Sequence, residues 1–217
     1  SIASDEITFN AKLFARIKAV AEGAKAAGLT AEQTRLATRA YQRFVRNGAA
    51  LDAKGKAELG RINTALASAF TSFGQKVVAD ENTWTLIAEE TGVAGMPASN
   101  VAAAAAAASK RGLKGWAIVN TRSSVDPFLT TANDRALREK VWRAFVNRGD
   151  NGDANDTNDT IATIVKLRAE RAKLLGFKNH AEWRMQDTMA KTPAAAMGLM
   201  ERVWPAAVAR VREEVAD

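Results

Sequence analysis

Between Asp134 and Pro193 three helical patterns follow one another, joined only by short polar segments. The first, DRALREKVWRAFVNRG, is capped by Asn133, turns Leu137, Val141, Trp142 and Phe145 inward, and stops at Gly149. The second, NDTIATIVKLRAERAKLLGF, is capped by Asp156 or Thr157, carries Ile161, Ile164, Val165, Leu174 and Leu175, and stops at Gly176. The third, NHAEWRMQDTMAKTP, opens on Asn179 with Glu182 as a capping box and runs to Thr192-Pro193, a start signal with proline in the first helical position. Apolar residues spaced three and four apart, fenced by caps, must bury one stripe of each helix against another helix.

The same grammar fills the first third of the chain. Asn10 caps a helix that reaches about Ala27, with Leu13, Phe14, Ile17, Val20 and Ala24 on its stripe and Gly28 as its stop. Thr30 and Gln33 form a capping box for a second helix, whose inward face is Leu36, Ala40, Phe44 and Val45 and whose end is Asn47-Gly48. Asp52 caps a longer third helix carrying Leu59, Ile62, Leu66, Phe70, Phe73 and Val77, a spacing suited to antiparallel packing on the second. From Asp80 the period changes. TWTLIAEE and GWAIVNTRSSV read as strands, with an alanine-driven helix from Ala98 to Arg111 between them, closed by Gly112. Asp126-Pro127 calls for an extended or turn segment. The last helix carries Met197, Met200, Val203, Trp204, Val208 and Val211, with a kink expected at Pro205.

The expected fold is therefore mainly α: multihelical, with antiparallel helix packing and a small β hairpin or sheet near residues 83–131. Three regions are expected: a helical hairpin region at 1–80, a mixed segment at 81–131 and a further helical region at 132–217, together forming one domain or part of one in a larger protein.

Composition narrows function mostly by exclusion. The 217 residues contain one histidine and no cysteine, so neither a disulfide framework nor a thiolate metal site can be built. No uninterrupted apolar run is long enough to span a bilayer, so a membrane is not an expected partner. The net charge of +7 invites a nucleic-acid reading. Acids are interleaved with the bases, as in Arg168, Glu170 and Arg171 or Arg138, Glu139 and Lys140, which describes solvated helix faces rather than a nucleic-acid footprint. The start SIASDEITFN has neither the basic nor the apolar region of a signal peptide. A cytoplasmic setting is expected, or a periplasmic one if a signal lies upstream of Ser1.

The candidates for chemistry are few. A hydrolytic zinc centre needs two histidines one helical turn apart with a glutamate between them, and His180 stands alone at a helix start, where a surface or capping role is expected. There is no phosphate-cradling glycine motif. The run from Asp150 to Asp159 resembles a calcium loop. An EF-hand begun at Asp153 would place Asn158 where glycine is needed and Ile164 where the bidentate glutamate belongs, so helix capping is the better reading. Glu89 and Glu90 are neighbours in an extended segment and point apart, so they form no acid–base pair. Trp142, Trp183 and Trp204 fall in helical patterns and are expected in a core or interface, while Trp84 and Trp116 are the better candidates for a groove. Arg135, Arg138, Arg143 and Arg148 could clamp a peptide carboxylate, but intramolecular ion pairs are the expected use. No catalytic, cofactor-binding or metal residue is assigned.

Four stretches, NAKLFARIKAV, RFVRNGAALDAKGKAELGRINTALASAFTSFGQKVVADENTW, DRALREKVWRAFVNRG and NDT…LRAERAKLLGF…MAKTP, resemble successive segments of the zinc oligopeptidases of the thimet oligopeptidase type, and within them the peptidyl-dipeptidase branch. The resemblance implies a mostly helical protein with a deep channel, a zinc ion in the intact enzyme, short peptides as substrates and release of C-terminal dipeptides. It also implies that the zinc motif lies downstream of the LLGF segment. This chain would then be an N-terminal to middle portion, inert by itself, partnered by the remaining catalytic half of the same polypeptide. It would bind neither nucleic acid nor membrane. The rival expectation is a non-enzymatic helical interaction module.

Overall fold

The structure, a computed structural model, describes residues 2–216. In chain order its elements are α1 (Ile2–Phe9), α2 (Ala11–Gly23), α3 (Ala31–Arg46), α4 (Ala53–Glu81), β1 (Trp84–Ile87), a 3-10 turn at Glu90–Val93, α5 (Ala98–Ser109), β2 (Trp116–Val119), α6 (Arg122–Thr131), α7 (Arg135–Val146), α8 (Asn158–Leu174), α9 (His180–Met185) and α10 (Pro193–Ala216). The expectation of a mainly α fold with one small antiparallel sheet holds. Residues 1–68 with 164–217 form one compact unit, and 69–163 form another.

Local capping explains many of the boundaries. The Asn10 side chain accepts from the Leu13 amide at 3.0 Å, and Thr30 and Gln33 close the full reciprocal box at the head of α3. Asp52 accepts from the Gly55 amide at 2.7 Å, and Asn179 accepts from Glu182 at 2.9 Å. The Glu182 carboxylate takes the Lys178 amide instead of completing a box on Asn179. Two boundaries differ from the sequence reading. Asp134 rather than Asn133 caps α7, because the Asn133 amide is committed to the Ala94 carbonyl. A first helix, α1, precedes Asn10, where the sequence offered no periodic stripe; its Asp5 carboxylate is tied to Asn63 of α4.

In the first unit, α2 and α3 pack through a stack of rings: Phe14 lies 5.8 Å from Tyr41 and 6.4 Å from Phe44. This corrects two expectations. The partner of α3 is α2, not α4, and Leu36 and Val45 face outward, Leu36 being 71% exposed. The inward face is set by where Phe14 sits, so it rotates toward Tyr41 and Phe44. α4 is bracketed instead by α1, where Phe9 meets Gly60, and by α8, where Glu170 and Arg171 reach Arg61 and Asn63. Its Leu59, Ile62 and Leu66 are buried, as expected, while Phe70 is exposed. Gly48 turns the chain from α3 toward α4 with φ of 94°, and any Cβ there would stand 2.3 Å from the Leu59 side chain. α8 buries Ile164, Leu167 and Ala172, and the expected Ile161 and Val165 point to solvent.

The second unit is built on the pairing of β1 with β2, in register Trp84↔Val119 through Ile87↔Trp116. α5 lies against β2 through Ala104 and Ala108, side chains small enough for close approach. The core is Ile87, Val93, Ala104, Ile118, Val125, Phe128, Ala132 and Val141. Gly115 leads into β2 with φ of 96°, because a Cβ would sit 2.3 Å from the Ile87 carbonyl oxygen. The extended segment expected at Asp126-Pro127 is instead the middle of α6. Burial of Val125 and Phe128 on one face of that helix outweighs the bias against helix before proline, and Arg122 pairs with Asp126 one turn on.

Asp80, at the end of α4, is 2% exposed and is the polar centre of this unit. Its carboxylate accepts from the Gly149 amide at 2.7 Å and from the Asn151 and Asn155 side chains, each at 3.0 Å. The Asp80 carbonyl accepts from Asn120, which also donates to Ala144 at 3.0 Å. The run Asp150–Asp159 therefore closes on a protein carboxylate. Asp156 caps the start of α8 through the Asn158 amide, and Thr157 returns to the Gly149 carbonyl. Replacing Asp80 by alanine leaves the buried Gly149 amide without its acceptor and releases the Asn151 and Asn155 side chains, and the expected loss is about 3 kcal/mol. Urea unfolding together with amide exchange over 147–158 measures it; an unchanged midpoint and unchanged protection would remove Asp80 from this role.

Candidate functional site

The cavity that contains the histidine lies in the first unit, between the end of α3 and α9. It encloses about 730 Å³ and is lined by Arg43, Arg46, His180, Trp183, Arg184 and Asp187, among others. Its construction follows from local chemistry. α3 carries arginines at 39, 43 and 46, spacings of four and three that keep them on neighbouring turns. α9 is short, starts under the Asn179 cap and sends the Trp183 indole N–H to the Arg46 carbonyl at 2.9 Å. That bond uses one of the last carbonyls of α3, which have no partner inside the helix. Asp187, just past α9, then receives guanidinium N–H groups from both Arg39 and Arg46.

The electrostatics are lopsided. The Arg171 guanidinium lies 4.5 Å over the Trp183 ring, and the His180 ring is tilted against Trp183 with ring centres 5.4 Å apart. Burial pushes the His180 pKa below the ordinary histidine value, and Arg168, Arg171 and Arg184 push it further in the same direction. Arg171 is likewise lowered, first by burial and then by Arg168 and Arg184, with Asp5 opposing. Nδ1 of His180 and Nε of Arg171 are buried without a hydrogen-bond partner. Asp187 is held below the usual carboxylate range, chiefly by the hydrogen bond from Arg46. The cavity can thus attract and orient negative charge. His180, kept neutral, is its one group able to exchange a proton near neutrality.

The residues singled out in the sequence are mostly scattered. His180 is the first residue of α9 and is half-buried, not a free surface group. Glu89 and Glu90 are both exposed, at the entrance to the 3-10 turn. Arg143 pairs with Glu139 at 2.7 Å, Arg148 reaches Glu81 at 3.3 Å, and Arg138 donates to the Ala132 and Asn133 carbonyls, so three of the four arginines are engaged internally. Trp142 and Trp204 are exposed, at 48% and 70%, so neither belongs to a core. Trp116 packs against the core of the second unit, while Trp84 is exposed beneath Arg111, whose guanidinium carbon is 5.0 Å from its ring centre. Among the described residues no three His, Cys, Asp or Glu side chains converge as metal ligands would. Sequence reasoning passed over Arg43, Arg46, Arg184 and Asp187. The arginine spacing on α3 was visible, but its meeting with α9 was not.

A second cavity, of about 430 Å³, lies between α5 and β2 and is lined by Met96, Asn100, alanines and hydroxyl residues such as Ser123. It contains no ionisable group and so offers no acid–base chemistry.

Comparison with known proteins places the chain. Residues 128–217 match the profile of Peptidase family M3. Over 99% of its length the chain is 39% identical to the dipeptidyl carboxypeptidase of Escherichia coli, covering 32% of that protein. It is 30% identical to Escherichia coli oligopeptidase A over 83% of this chain and 27% of that one. It is 33% identical to the organellar oligopeptidase A of Arabidopsis thaliana over 90% of this chain and 26% of that one. The chain belongs to peptidase family M3. It spans between a quarter and a third of the length of these M3 relatives. The M3 profile begins at Phe128 and so takes in α7 to α10, whereas the similarity to the dipeptidyl carboxypeptidase runs through α1 to α6 as well.

His180 is the chain's one histidine, so its imidazole gives a single titration curve by NMR. Because the folded state disfavours the charged ring, the midpoint is expected below 6.5. The sign for stability follows: the unfolded chain takes up the proton first, so stability falls as pH drops through 6.5 toward the folded midpoint, then levels off. The charges acting on the ring are Arg168 and Arg171 of α8 and Arg184 of its own helix, and Arg43 and Arg46 of α3 and Asp187 line the same cavity. His180→Gln should remove that part of the pH dependence of the melting temperature. A midpoint above the ordinary histidine value would contradict the arrangement.

Proposed function

We propose that this chain is part of a zinc peptidase that releases dipeptides from the C-terminus of short peptides, and that the residues holding the zinc come from sequence outside these 217. The carrying observation is the 39% identity, along 99% of the chain, to a protein named dipeptidyl carboxypeptidase. Similarity unbroken over every helix supports a shared scaffold, and a scaffold that places a channel wall constrains which peptides reach the metal.

The metal itself does not fit the residues present. A hydrolytic zinc takes three protein ligands and leaves one position for water. With one histidine, no cysteine and no converging carboxylates among the described residues, no such set can be drawn. The contribution of this chain is therefore read as structural and substrate-positioning. In the same reading α10 packs on the remainder of the polypeptide: Met197, Leu199, Met200, Val203, Trp204 and Val211 are all more than half exposed. Contiguous apolar surface of that kind favours association. None of the described helices is long and apolar enough to cross a membrane. The reading places the peptidase in the cytoplasm, or in the periplasm if an upstream signal directs it there.

Two measurements test this. The 217-residue chain supplied with zinc and a chromogenic peptide should show no dipeptide release; chelator-sensitive cleavage would sink the division of labour proposed here. The complete reading frame should encode H-E-x-x-H, and its absence would favour a non-enzymatic helical module. For α10, sedimentation should show concentration-dependent self-association of the 217-residue chain, reduced by Val203→Asp, whose site is 57% exposed and tolerates charge. A strictly monomeric chain would argue that this face has no partner.

A further inference from the structure

We propose that the cavity between α3 and α9 is a binding site for a doubly charged oxyanion, held by Arg43, Arg46 and Arg184 beside His180. The assignment does not depend on the peptidase reading, since it concerns a site complete within these elements.

Three observations converge. First, the cavity is large enough for such a ligand with part of its hydration, and its floor is an aromatic ring with a guanidinium stacked on it. Second, its positive charge outnumbers its negative charge. Arg43, Arg46 and Arg184 line it against one carboxylate, Asp187, and that carboxylate is already shared by Arg39 and Arg46. The charges that act on the His180 ring are all positive. Third, Nδ1 of His180 is buried with no hydrogen-bond partner. Like charges gathered in a partly buried place repel one another, and a dianion there relieves that repulsion while accepting charge-assisted hydrogen bonds. Asp187 shows the chemistry in miniature: where one carboxylate reaches this cluster, two guanidinium groups close on it.

Guanidinium forks accept paired oxygens from either a phosphate-type or a dicarboxylate ligand. The shared chemistry is two or more anionic oxygens on a compact, doubly charged molecule. Arg43 and Arg184 are exposed and outside any core, so their glutamine variants should fold as the parent does.

The test follows the single histidine resonance of the full 217-residue chain while inorganic phosphate or succinate is added, with sodium chloride at matched ionic strength as the reference. Binding brings negative charge to a ring now surrounded by positive charge. The His180 midpoint should therefore rise, by roughly half a unit or more, in a saturable manner. Arg184→Gln and Arg43→Gln should each weaken binding by roughly three- to tenfold, whereas Arg122→Gln, on α6, should not. Saturation by phosphate alone or succinate alone names the preferred oxygen geometry and supports the site, as does saturation by both. A shift no larger than chloride produces, or one that survives both cavity variants unchanged, would overturn the proposal.

Discussion

A buried carboxylate with no cation against it decides how the second unit closes. Asp80 is surrounded by donors that are all neutral: one backbone amide and two asparagine side chains. Such a group is costly to bury unless its oxygens are occupied. Here the occupants come from residues 149–155, so satisfying Asp80 forces the chain after α7 into one conformation. Gly149 accommodates the turn with φ of 74°, and Thr157 ties the far end of the loop back to the Gly149 carbonyl at 2.9 Å. The start of α8 is thereby fixed. Arg148 adds a second tie, lying 3.9 Å over the Phe145 ring while reaching Glu81.

This dependence explains what could be read from the sequence. Caps are local, so Asn10, Thr30, Asp52, Asn179 and Thr192 announced their helices correctly. Stops at Gly28, Gly48, Gly112 and Gly149 were legible because each adopts positive φ, which glycine alone reaches cheaply. Faces were less legible. Ile161, Val165, Leu36 and Val45 satisfy helical spacing as well as the residues that are buried, and only the partner decides which stripe turns inward. The largest miss, α6, came from a local rule about proline that two fully buried side chains overrode. The polar run 150–159 was read as helix capping, and Asp156 does cap α8, yet the run's acceptor, Asp80, lies 69 residues before Gly149 and left no trace in local pattern.

The candidate cavity was illegible for the same reason. Arg46 and Trp183 are 137 residues apart, and neither has a distinctive neighbourhood in sequence. What the sequence did contain was the limit on chemistry. One histidine and no cysteine leave neither an H-E-x-x-H pattern nor a thiolate set among these 217 residues. Under the proposed function, scaffold and reaction centre are encoded in different stretches of one polypeptide. Folds commonly separate a supporting framework from the site it holds.

The net charge of +7 looks different once its distribution is known. Along α2, α4, α6, α7 and α10 one basic residue each is paired one turn away, as Lys18–Glu22, Arg61–Glu58, Arg122–Asp126, Arg143–Glu139 and Arg210–Glu214. Those pairs are exposed and worth little individually, and they cancel in the far field. At α8 and α9, Arg168 and Arg184 act on Arg171, all three act on His180, and the acid that opposes them at Arg171 is the distant-in-sequence Asp5. A protein whose helix faces carry such pairs, and whose bases outnumber the one acid lining the candidate cavity, has a local field there that its composition does not reveal. Such a field is short-ranged in salt, so it acts on what enters the cavity rather than on a large polyanion passing by.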